Sequence, residues 1–267
     1  MTSFAGQAIV LTGASAGIGR ELALQLAAER PRLLLAARDS ERLAEVAALC
    51  RQRGGDAIAV RADVGVEADC RRVVERAIES FGRLDVLLHN AGQDMWARLD
   101  QLADPALFER LMRVNFLGPA WLTFHALAHL KQRKGRIVVV SSLAGLTGVP
   151  TRTGYAATKH ALHGFFDSLR IELAGSGVSV TLVCPDFVVS EIHQRALGPD
   201  GQPLGRSPMQ EARIRSTADC ARLIVAAARA RRRLVLLSWR GKIGRWVRMI
   251  APGLIDRIAA RAIARGH

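Results

Sequence analysis

Three side chains in the middle of the chain have the types and the spacing to move a proton. Tyr155 and Lys159 form a Y-x-x-x-K pair, and Ser142 lies thirteen residues before the tyrosine. Four residues is about one helical turn, so on a helix the phenol and the ammonium share a face. An ammonium beside a phenol favours the phenolate and lowers a pKa that is otherwise about 10. A tyrosine tuned in this way exchanges a proton with an alcohol or carbonyl oxygen near neutral pH. Tyr155 is the only tyrosine in the chain, so no second phenol competes for the role. The pair alone is a weak signal, because helices place Tyr and Lys at this spacing by chance. Its weight comes from the segments around it.

Those segments alternate. Short apolar runs at Ala8–Thr12, Leu33–Ala37, Ala57–Arg61, Asp85–His89, Arg136–Ser141, Val178–Cys184 and Leu234–Leu237 read as strands. None alternates apolar with polar, as expected of strands buried on both faces. Helical periodicity fills Ile18–Glu29, Glu67–Phe81, about Pro105 to Lys131, and Tyr155–Ala174. Ser40 is placed to cap the helix after the second strand, with Glu41 in its first turn. Pro119 falls inside the long fourth helix and is expected to kink it. The pattern predicts one Rossmann-type, doubly wound parallel sheet with helices on both faces. No linker or repeat divides the chain. Residues 1–230 read as the catalytic part, and 231–267 as a last strand and a basic extension of the same domain.

The first strand ends in Thr12-Gly13-Ala14-Ser15-Ala16-Gly17-Ile18-Gly19, which opens the first helix. A glycine-rich turn there lets a pyrophosphate approach the helix N-terminus. The spacing G-x-x-x-G-x-G differs from the more familiar G-x-G-x-x-G, but its place after strand one favours nucleotide binding over a plain connection. The second strand ends in Ala37-Arg38-Asp39. An acidic residue at the strand end would bond the adenosine ribose and select NAD, whereas arginine suits a 2′-phosphate. Arg38 therefore predicts NADP(H), with NAD(H) as the alternative if Asp39 turns inward.

Composition limits the remaining classes. The chain has 267 residues, 49% of them hydrophobic, and four scattered cysteines without a C-x-x-C, so neither metal nor disulfide use is expected. No signal peptide and no membrane-spanning run is evident, which predicts a cytoplasmic protein or one at a membrane surface. Of 38 basic residues, eleven lie from Arg229 onward, against one acid, Asp256. In that tail Ile243, Trp246, Val247 and Ile250 keep helical spacing, and Lys242, Arg245 and Arg248 recur every three residues. Beyond Pro252, Arg257, Arg261 and Arg265 recur every four beside Leu254, Ile258 and Ala262. Two short cationic amphipathic helices follow. They either pack on the body, meet a membrane surface or form an oligomer contact. Nucleic-acid binding is not expected, because aromatics are only 5% of the chain.

Taken together, Thr12–Gly19, Asp63-Val64, Asn90-Ala91-Gly92, Asn115, Ser142, Tyr155-x-x-x-Lys159 and Pro185 resemble the short-chain dehydrogenase/reductase family over nearly the whole chain to about residue 230. The stretch Tyr155–Phe166 is similar to the branch related to 11-beta-hydroxysteroid dehydrogenases. The resemblance implies a hydride exchanged with a nicotinamide cofactor. It makes Tyr155 the general acid/base, Ser142 the partner of the substrate oxygen, Lys159 the holder of the nicotinamide ribose, and Asn115 the organiser of a proton path. Ser142 is preferred to Ser141 because its separation from Tyr155 matches the family. Gly13, Ser15, Gly17, Ile18 and Gly19 fall in the pyrophosphate loop. Asp63 and Val64 flank the adenine, and Asn90, Ala91 and Gly92 line the cleft. Pro185, Val188 and Ser190 belong to the carboxamide side.

There are departures from the family pattern. His89 stands where asparagine is frequent and reads as a neutral core histidine. Asp186 follows Pro185 in place of glycine, which blurs substrate inference, and Ser190 stands for threonine. Substrate contacts are expected from Asp94–Trp96, Leu143–Thr153 and a long 187–215 loop able to act as a lid. Met95, Trp96, Leu146, Val149, Phe187 and Ile192 suggest an apolar pocket for a hydrophobic ketone, aldehyde or alcohol. A homo-dimer or larger oligomer is the family's expectation. The competing reading is a catalytically silent nucleotide-binding regulator.

Overall fold

The computed structural model describes residues 3–207 and 214–264. Pro208, within the expected lid, and Arg265 lie outside those ranges. Seven strands form one sheet: β1 (Ala8–Thr12), β2 (Arg32–Ala37), β3 (Asp56–Arg61), β4 (Val86–His89), β5 (Arg136–Val140), β6 (Ser179–Cys184) and β7 (Leu234–Leu236). Their order is β3-β2-β1-β4-β5-β6-β7, and every pairing is parallel. The helices are α1 (Gly17–Ala27), α2 (Ser40–Gln52), α3 (Glu67–Phe81), α4 (Ala106–Met112), α5 (Gly118–Gln132), α6 (Thr153–Glu172), α7 (Thr217–Arg229), α8 (Trp239–Ile250) and α9 (Pro252–Ala264).

The absence of alternation in the strands has a direct structural cause. Ile9, Leu11, Leu33, Leu35, Val138 and Val140 point to a core shared with α1, α2 and α7. Their neighbours Ala8, Val10, Leu34, Ile137 and Val139 point to a second core shared with α3, α5 and α6. Successive side chains leave opposite faces of a strand, so a sheet covered on both sides needs apolar residues at every position. Full burial of each such leucine or isoleucine contributes about 1.5–3 kcal/mol.

Two local expectations are corrected. Asp39, not Ser40, caps α2: its carboxylate accepts the Arg42 N–H at 3.1 Å. The fourth helix is not one continuous run with Pro119 inside it. It is interrupted before it, by a π-turn over Arg113–Leu117 between α4 and α5. Pro119 sits in the first turn of α5, where its missing N–H costs little.

Candidate active site

The strand order reverses between β1 and β4, and a cavity of about 580 Å³ opens at the carboxyl ends of the strands around that point. This is where a doubly wound sheet leaves room for a ligand. Asn90 holds the two strand ends together. Its side-chain amide donates to the carbonyls of Thr12 and Gly13, each at 3.2 Å. In return the Thr12 hydroxyl accepts the backbone N–H groups of Asn90 and Ala91, at 3.1 and 3.2 Å.

The glycine turn is shaped by close backbone approach. Gly13 has φ +66°, and a Cβ there would lie 2.8 Å from Ala91 Cα. A Cβ on Gly19 would lie 2.0 Å from the Gly13 carbonyl oxygen. Glycine is therefore required at both positions. Ser15, Gly17 and Ile18 line the cavity with Gly13, while Gly19 stands behind its wall. Arg38, Asp63 and Val64 line the far end. Asp39 is committed to capping α2, so the exposed Arg38 is left as the charged group reaching the end of β2. Asp63 is fixed by accepting the Gly65 N–H at 2.9 Å. The cradle of unsubstituted backbone, the open helix N-terminus and this cation fit a dinucleotide.

Across the cleft, Ser142 lies just beyond β5 and Tyr155 in the first turn of α6, and both line the cavity. The Ser142 hydroxyl also accepts the Ala144 N–H at 3.2 Å. Lys159 stands one turn on, with Nζ 5.5 Å from the Tyr155 ring centre and donating to the Val140 carbonyl at 3.2 Å. Burial pushes Lys159 down to about 8. The expected depression of the phenol is not the net result. Burial first, and Asp94 second, raise Tyr155 well above its ordinary value, and the nearby Arg152 and the Ser142 hydroxyl only partly offset them.

Asn115 sits in the middle of the π-turn, buried behind the cavity wall. Its Oδ1 accepts the Gln93 N–H at 2.8 Å, and its Nδ2 donates to the Gln93 carbonyl at 2.8 Å and to Thr158 at 3.0 Å. The wide turn swings this one side chain inward without ending the helix. Pro185, Val188 and Ser190 line the cavity after β6, and Ala91 and Gly92 after β4. His89 is buried, 2.9 Å from Thr123 Oγ1, and burial holds it neutral, pushed down to about 3.

On the substrate side Val149, Phe187 and Ile192 line the cavity as expected. Met95, Trp96 and Leu146 do not. Met95 is fully buried in a separate cluster under α6, where its sulfur accepts the Gly154 N–H. The mouth is instead completed by Ile255, Ile258 and Ala259 of α9. Asp94, Arg152 and His193, all buried, meet in this wall; each lay in a segment expected to touch substrate, but sequence reasoning did not foresee that they cluster. Arg152 is only three residues before Tyr155, and Asp94 two after Gly92, which is the one signal that pointed to the cluster.

A two-faced parallel sheet with a glycine turn at its switch point, facing a Ser–Tyr–Lys group, defines a Rossmann-type oxidoreductase. The short chain dehydrogenase family model matches residues 7–198, and the chain belongs to the short-chain dehydrogenase/reductase family of NAD(P)-dependent enzymes. It is 36% identical to 11-beta-hydroxysteroid dehydrogenase A of Sesamum indicum, over 94% of this chain and 74% of that one. It is 37% identical to 11-beta-hydroxysteroid dehydrogenase-like 4A of Arabidopsis thaliana, over 94% and 82%. A crystal structure of a short chain dehydrogenase/reductase from Burkholderia phymatum in complex with NAD superposes with a TM-score of 0.83 at 27% identity, covering 95% of this chain and 96% of that one.

Proposed function

We propose that the protein is an NADP(H)-dependent oxidoreductase that interconverts a hydrophobic ketone or aldehyde and the corresponding alcohol. The bound cofactor supplies the hydride. The chain supplies proton handling and orientation. Tyr155 gives its proton to the carbonyl oxygen in reduction and takes one from the alcohol in oxidation. Ser142 donates to the same oxygen as negative charge develops there. Lys159 holds the ribose and the field beside the phenol, and Asn115 braces the segment through which the proton is replaced. Gly13, Ser15, Gly17, Ile18 and Gly19 form the phosphate cradle. Arg38 reads the 2′-phosphate, Asp63 and Val64 hold the adenine, and Asn90, Ala91, Gly92, Pro185, Val188 and Ser190 seat the nicotinamide half.

The observation that carries this reading is that Ser142, Tyr155 and Lys159 line one wall of the same cavity as the glycine turn, with apolar Val149, Phe187 and Ile192 beside them. A steroid- or lipid-like substrate fits Val149, Phe187, Ile192 and the α9 isoleucines, in keeping with the names of the relatives. Residues 1–230 carry the chemistry, and the extension from 231 closes the sheet and the cavity mouth. Trp239, Trp246, Met249 and Ile250 are 65–83% exposed on a helix rich in arginine, which supports contact with an anionic membrane surface. Phe124 on α5 and Ile171 on α6, also exposed, support a homo-oligomer through that face.

The test is a panel of apolar ketones and alcohols assayed with NADPH/NADP⁺ and with NADH/NAD⁺. Tyr155→Phe is expected to lower kcat by about 10²–10⁴-fold while NADPH still binds. Turnover kept by that variant refutes the assignment, and cofactor binding with no turnover of any substrate would point to a silent regulator.

A further inference from the structure

The Asp94–Arg152–His193 group is not accounted for by the proton path above. Asp94 is 2% exposed and Arg152 4%, and they pair at 3.4 Å between Nη1 and Oδ2. His193 reaches the same oxygen at 3.6 Å. The guanidinium lies 4.2 Å from the Trp96 ring centre, 5.2 Å from that of Phe187 and 6.0 Å from that of Tyr155. Its Nε and Nη2 have no hydrogen-bond partner among the described residues. A buried ion pair with two idle donors is a poor way to stabilise a fold, because desolvation of both charges offsets most of their attraction. What it does provide is two opposite charges beside the one phenol in the chain, in a medium where fields are weakly screened.

We infer that Arg152 and Asp94 are opposed positioning residues that set the proton affinity of Tyr155 from the substrate side. Arg152 favours the phenolate and Asp94 the phenol, and their separation fixes the balance. This rests on the reading of Tyr155 as the acid/base. The other groups around the phenol are Lys159 from its own helix, Cys184 at the end of β6, the Ser142 hydroxyl after β5, and His193, which acts through Asp94. Burial keeps the Cys184 thiol protonated, pushed up to about 12, so it carries no charge at neutral pH. Lys159 bonds the Val140 carbonyl. Lys159 favours the phenolate from the cofactor side, and Arg152 and Asp94 set the balance from the substrate side.

The experiment compares the wild-type chain with Asp94→Asn, Arg152→Gln, Arg152→Lys and the Asp94→Asn/Arg152→Gln double variant. Two readouts are followed. One is the pH profile of kcat for alcohol oxidation. The other is the ¹³Cζ resonance of labelled tyrosine, which is a single signal because the chain has one tyrosine. Asp94→Asn is expected to move both toward lower pH, and Arg152→Gln to move the kcat limb toward higher pH, each by on the order of one pH unit. The double variant returns toward wild type, and Arg152→Lys, which keeps the charge, stays near it. A purely structural role would lower thermal stability in both single variants without opposite shifts. Shifts in the same direction, or none, overturn the proposal. If Arg152→Gln does not fold, Asp94→Asn and the double variant still decide it. The tyrosine resonance reads the phenol without turnover, so a failure here is distinct from a failure of the acid/base assignment.

Discussion

Thr12 and Asn90 are bonded in both directions: the Thr12 hydroxyl accepts the Asn90 N–H at 3.1 Å, and the Asn90 amide donates to the Thr12 carbonyl at 3.2 Å. Thr12 ends β1 and Asn90 directly follows β4, on either side of the switch point, so this link holds the glycine turn against the β4 end. Thr12→Val keeps the shape and removes the acceptor of two backbone N–H groups. It is expected to cost about 1–3 kcal/mol in urea unfolding and to weaken NADPH binding, whereas Thr12→Ser restores both. An unchanged unfolding midpoint in Thr12→Val would show that the link is incidental.

The proposed role of Arg38 in cofactor choice has a direct test. Arg38→Gln should raise the KM for NADPH by about tenfold, the scale of one exposed charge-assisted contact, with little change for NADH. Equal effects on the two cofactors would mean that Arg38 touches neither phosphate selectively.

His89 gives a pH signature in stability. Its folded pKa lies near 3 and its ordinary value is 6.5. Below pH 6.5 the unfolded imidazole takes a proton that the folded one refuses. Stability is therefore full above that pH and falls as pH drops toward 3. His89→Asn removes this contribution, so its stability should fall by about 2 kcal/mol less than wild type between pH 7.5 and pH 5. His163, pushed down to about 4, is present in both proteins and cancels in the comparison. Parallel stability curves for the two proteins would rule out a buried neutral His89.

The α8 face is tested in the full chain. Trp246→Glu/Ile250→Glu should abolish co-sedimentation with vesicles containing anionic lipid while leaving turnover of a water-soluble substrate intact. Binding equal to wild type discards the membrane surface, and a change in oligomer size instead assigns the face to a second copy.

The strands were legible because burial on both faces keeps the central ones almost wholly apolar, and each lies within one residue of its expected span. The glycine turn, Ser142, Tyr155 and Lys159 were legible because their spacing is short-range and chemical. The π-turn was not, since Arg113–Leu117 continues an ordinary helical pattern and Pro119 is a more conspicuous breaker. Met95 and Trp96 misled because apolar type does not say which wall a loop residue faces. Asp94 and Arg152 are 58 residues apart, and only the folded chain brings them to one phenol.

Ile255, Ile258 and Ala259 close the cavity from a helix that contributes nothing to the sheet or to the proton path. If those residues meet the substrate, its recognition is separated from the Ser142–Tyr155–Lys159 group, which lies just beyond β5 and on α6. Point changes at these three positions would then reshape the pocket and leave the packing of Tyr155 on α6 untouched.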